Sequence, residues 1–107
     1  MGTLRAQSTI GATMRRSLVE RSLNDVHGRL TKARQELAVL DEQLVVINDI
    51  ADDLRLRSLV SETPLAAHEH SDAQRHLEAA LRARAALVET VAELEKRQDE
   101  LLDRLTF

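Results

Sequence analysis

The stretch from Val19 to Leu54, VERSLNDVHGRLTKARQELAVLDEQLVVINDIADDL, settles the architecture. Leu23, Leu30, Leu37, Leu44 and Ala51 recur at every seventh position, interleaved with Val19, Val26, Ala33, Leu40, Ile47 and Leu54. Spacings that alternate between three and four keep both sets on one side of a helix with 3.6 residues per turn. They are the a and d positions of a coiled-coil seam running about five heptads. Gly28 falls at the outward f position, where it costs about 1 kcal/mol relative to Ala but disturbs no packing.

Downstream, the only proline closes this stretch off, in Ser61-Glu62-Thr63-Pro64. Thr63 can cap a helix whose first residue is Pro64, where the missing N–H is no loss. The reversal is therefore expected over residues 59–63. Beyond it Ala66, Ala73, Ala80, Leu87, Leu94 and Leu101 repeat every seven residues, interleaved with His70, Leu77, Arg84, Val91, Gln98 and Leu105. The match is weaker because three of the interleaved set are polar. Ser71 to Gln74 has the spacing of a capping box, so a break near residue 70 is expected as an option. A single continuous helix would have to absorb Pro64 in its interior at about 3 kcal/mol or more, so an antiparallel hairpin is expected. Upstream, residues 1–16 lack any sustained period and read as a basic tail. Ser17 and Glu20 have capping-box spacing and place the helix start at Ser17. The expected organisation is a tail over 1–16 and a hairpin over 17–107, with helices at about 17–58 and 64–106. Exposed i,i+4 pairs such as Asp25–Arg29, Asp53–Arg57 and Glu93–Arg97 support both helices.

Composition agrees with an all-α fold. The chain of 107 residues is 1% aromatic and 31% charged, with three Gly and one Pro, the make-up of long helices rather than of a core built on aromatic rings. There is no cysteine, hence neither a disulfide framework nor a thiolate metal site. No uninterrupted apolar run is longer than Leu44–Ile47, against the roughly 20 residues of a membrane span. No signal-peptide pattern is evident, and Ala6 stands where a myristoylation signal wants Ser or Thr. A cytoplasmic location is expected, although the Arg-, Ser- and Thr-rich leader also has the composition of a transit peptide. Thirteen arginines against two lysines, with abundant Ala, fit the codon bias of a GC-rich bacterial genome. Four arginines against one glutamate leave residues 1–22 at +3, so the remainder carries −6 of the net −3. An acidic helical body without aromatic residues argues against nucleic-acid binding, for which only the Arg15-Arg16 tail is suited.

The polar residues form no catalytic constellation. His68, Asp72 and His76 share a helical face at i, i+4 and i+8, but the outer two lie about 12 Å apart along the axis, too far for one metal. Neighbours such as Asp49, Asp52 and Asp53 would have to complete any site, and a solvated face is the simpler reading. His70, on the seam, is expected either near Asp52 or at a frayed helix end. Arg84 and Gln98 are polar seam positions of the kind that set register, the Arg84 stem running out over neighbouring alanines. The three glycines are isolated, so there is no phosphate loop. Two helices alone do not enclose a water-excluding pocket, and neither catalysis, a metal nor a cofactor is expected.

The informative residues are apolar ones off the seam. Val39, Val45, Val46 and Ile50 on the first helix and Leu81, Val88 and Leu102 on the second are expected to form one contiguous exposed patch, the mark of an interface. Pairing two hairpins into a four-helix bundle would cover it. The sequence thus reads as a non-enzymatic coiled-coil adaptor or scaffold that forms a homodimer through Val39, Val46, Ile50, Leu81 and Val88. A larger protein partner is expected at the tip, at Glu62 and Thr63. The alternative is a transcription regulator of anti-sigma or RNA-polymerase-binding type, acting through the tip or the basic tail.

Overall fold

The computed structural model describes the backbone of residues 2–106 and the side chains of residues 11–106. Two helices, α1 (Gly2–Ser61) and α2 (Pro64–Thr106), account for all of it except Glu62 and Thr63. The helices contribute to two compact units. One joins the first part of α1, up to Lys32, to α2 from Val91 onward, and the other is the continuous segment Ala33–Thr90.

Glu62 and Thr63 reverse the chain by satisfying backbone groups at both helix ends. The Glu62 N–H donates to the Ser58 carbonyl at 3.2 Å and closes α1. Glu62 then adopts φ 49°, the left-handed conformation that ends helices, although glycine is the usual occupant. The Thr63 hydroxyl accepts from the Ala66 N–H at 3.1 Å, and its carbonyl accepts from the Ala67 N–H at 3.0 Å. Pro64 follows as the first residue of α2, as the cap and proline predict. The reversal is tighter than the sequence suggests, because α1 continues through Ser61.

Every seam residue named from the sequence is buried or half-buried. In the first unit Leu30 and Leu101 are each 1% exposed, with Val26 and Leu94 also buried. In the second unit the buried residues are alanines, Ala33, Ala51 and Ala80, while Leu37, Leu40, Leu44, Ile47, Leu54, Leu77 and Leu87 are half-buried. A small side chain disappears between two helices, whereas a leucine needs neighbours on more than one side to lose contact with water.

Two expectations are corrected and one open choice is decided. The α-helix starts at Gly2 and not at Ser17, so residues 2–16 are helical backbone. The Ser17–Glu20 spacing is not used as a cap: the Glu20 carboxylate accepts instead from Arg16 Nε at 3.4 Å, a pair within the helix. From Ala12 to Leu18 every residue is exposed, and periodic burial begins at Val19. Secondly, of the two options the sequence left open for the second helix, α2 takes the unbroken one through residue 70. The Ser71 hydroxyl, which a break would have employed as a cap, accepts from Arg75 Nη2 at 3.3 Å. Thirdly, Asp25–Arg29 and Asp53–Arg57 pair as expected, at 4.0 and 3.1 Å, but Arg97 meets Glu100 at 3.5 Å rather than Glu93.

Candidate functional site

The Ala33–Thr90 unit contains most of the side chains singled out from the sequence, and one bond sets their geometry. Arg84 Nε donates to Asp41 Oδ1 at 2.6 Å, joining an a position of α2 to an e position of α1. Both side chains are half-buried. Asp41 holds the guanidinium above its ordinary value, first through the hydrogen bond and then through its charge. General acid–base catalysis wants a group that titrates near the working pH. Arg84 is moved the other way. The bond ties α1 to α2, and heptads counted outward from the turn in antiparallel register set Leu40 level with Arg84, Leu44 with Ala80 and Leu54 with His70.

That register decides where the off-seam apolar residues lie. In an antiparallel helix pair the e positions of both helices share one flank and the g positions share the other. Val39 and Val46 occupy c and Ile50 occupies g, on the g flank. Leu81 and Val88 occupy e of α2, on the flank that holds Asp41 and Val45. All five are exposed, Val39, Val46 and Ile50 by half or more. The one contiguous patch expected from the sequence is therefore two stripes on opposite flanks. Apolar residues counted along each helix, without e and g carried across the pair, merge into one patch on paper but not in space.

The two flanks differ in chemistry. Between Val39 and Ile50 the g flank presents Val39, Gln43, Val46 and Ile50 from α1 and His76, Ala79, Ala83 and Ala86 from α2, all exposed, with no Asp, Glu, Lys or Arg among them. The opposite flank carries the Arg84–Asp41 pair and Glu78 beside Val45, Leu81 and Val88.

The tip holds Glu62 and Thr63 as expected, both exposed, together with three apolar residues not anticipated as part of a docking surface. Val60 is 85% exposed, with Leu59 and Leu65 exposed beside it. The signal was available, since Leu59, Val60 and Leu65 occupy b and c positions, away from any seam. Proximity to the turn makes them look like part of it.

The histidines near the tip are separated in role. His68 Nε2 lies 3.1 Å from Asp72, whose other oxygen is 3.9 Å from Arg75, so that carboxylate is shared on an exposed face. Among the described residues no group of three potential ligands converges on a metal position. His70 is neither at a frayed end nor held by Asp52, which is exposed. Its Nδ1 is buried without a hydrogen-bond partner. None of the described helices is long and apolar enough to cross a membrane. Comparison with known protein families, with curated proteins and with solved structures finds no match to this chain.

Proposed function

We propose that this chain is a non-enzymatic coiled-coil adaptor that pairs with a second copy of itself and docks a larger protein through its tip. The observation that carries the reading is the exposed apolar tip, where Leu59, Val60 and Leu65 surround the Glu62-Thr63 reversal. A solvated turn gains nothing from three large aliphatic side chains, and a polar sequence would close it equally well. Apolar residues grouped at an exposed site are what a partner's groove desolvates. The Arg84–Asp41 pair supports the same reading, because it gives the polar seam residue a partner on the other helix and so a structural use.

A photo-crosslinking amino acid placed at Val60 tests the docking role, with the same group at the exposed Lys96 as control. Ultraviolet irradiation in native lysate should give a discrete adduct from position 60 alone. Loss of that adduct in Leu59→Ser with Leu65→Ser, at unchanged helicity, completes the test. The same adduct pattern from both positions would remove the tip from the proposal.

A further inference from the structure

The two flanks of the Ala33–Thr90 unit are not equivalent, and the uncharged one fits a particular occupant. We propose that a second copy of this chain packs on the flank of Val39, Val46 and Ile50, with the two tips at the same end. This rests on the dimeric reading above and adds the face and the orientation.

Three observations carry it. The first is exposure: Val39, Val46 and Ile50 are 52%, 57% and 50% exposed, large apolar side chains that a second copy on this flank would take out of water. The second is charge within the flank. Burial against another copy removes no Asp, Glu, Lys or Arg from water between Val39 and Ile50, His76 being the one titratable group on that face, whereas the opposite flank would bury Glu78 and cover the Arg84–Asp41 pair.

The third is register. With the tips together and a two-fold axis along the helices, α1 of one copy lies on α2 of the other, and every neighbouring pair runs antiparallel. Val46 then meets Ala79 of the second copy and Val39 meets Ala86, large side chains over small ones. At the rim the same levels bring Glu42 to Arg82 and Asp49 to Arg75, opposite charges at f positions, all four exposed in the single chain. With the tips at opposite ends, α1 would lie on α1 and those acids would face acids. Like charges in register are unfavourable, so the tips-together arrangement is selected.

The absence of cysteine makes the test direct. Val46→Cys combined with Ala79→Cys should yield a covalent dimer under mild oxidation, since the arrangement brings the two positions within disulfide reach between copies. Either substitution alone should stay largely monomeric on a non-reducing gel. In parallel, Ala83→Glu should weaken association by on the order of 100-fold, because it buries a charge in the uncharged strip. Ala85→Glu, on the other flank, should leave association unchanged, with helicity of both variants checked by circular dichroism. Sedimentation equilibrium of the unmodified chain comes first. A 12.0 kDa monomer at tens of micromolar would overturn the proposal and the dimeric part of the adaptor reading, while tip docking would stand on its own test. A dimer that survives Ala83→Glu and does not crosslink through 46 and 79 would overturn only the proposed face and orientation.

Discussion

At the scale of single residues, two positions sit in conformations or surroundings that their side chains do not favour. Glu62 holds φ 49° at the end of α1, where a residue with a Cβ costs about 1 kcal/mol or more relative to glycine. Glu62→Gly should raise stability by about 0.5–1 kcal/mol in urea denaturation, the gain tempered by the greater freedom of glycine in the unfolded chain. A decrease would mean that the Glu62 carboxylate stabilises the tip by more than the strain costs. His70 is the second case. Its Nδ1 is buried without a partner at a seam position, and an unsatisfied polar group of this kind costs about 1–3 kcal/mol. His70→Leu removes that cost and adds apolar area, so a gain of about 1–2 kcal/mol is expected from thermal or urea melts. A loss on substitution would show that water or another group reaches Nδ1 in solution. The heptad pattern places a histidine on the seam. It does not say whether the ring finds an acceptor, because that depends on rotamer and local spacing rather than on heptad position.

At the scale of the helices, periodicity was the legible quantity and termini were not. The seam from Val19 to Leu54 and from Ala66 to Leu105 could be written from spacing alone, because burial between two helices depends only on which side of each faces the other. Ser17 misled because a capping box marks a helix start only where the helix would otherwise end, and the Arg16–Glu20 pair shows its carboxylate engaged elsewhere. Asp41 was missed as the partner of Arg84 for a related reason. An e-position acid becomes visible as a partner only after the register across the pair is fixed. Helix interior also supplies a test. Gly28 lies within α1 at an f position, and a Cβ built there meets no atom within 4 Å. Gly28→Ala should therefore stabilise the chain by about 0.8–1 kcal/mol, through backbone entropy and without new contacts. A smaller or negative change would indicate that something outside the single chain occupies the space beside Gly28.

For the molecule as a whole, the quantity to explain is the exposed surface. A seam in which, among the described residues, Leu30 and Leu101 are the larger side chains that are fully buried does not make a core of ordinary size. Full burial of such a side chain contributes about 1.5–3 kcal/mol, and half-burial correspondingly less. Ordering the chain costs about 1–2 kcal/mol per residue in backbone entropy, so a thin seam leaves little margin. Association would supply what is missing, and it carries a signature that a monomer lacks. When folding and pairing are coupled, stability depends on protein concentration by mass action. Each tenfold increase is worth about 1.4 kcal/mol per dimer. With an unfolding entropy of about 2.1 cal/mol/K per residue for both chains, the midpoint should rise by about 3 °C per decade of concentration. Melts from one to one hundred micromolar should thus span about 6 °C. Ala83→Glu should flatten that slope and Ala85→Glu should keep it. A midpoint independent of concentration in the unmodified chain, at concentrations where sedimentation reports a dimer, would mean that pairing persists beyond unfolding or contributes nothing to it. Either outcome would separate the stability of the helices from their association.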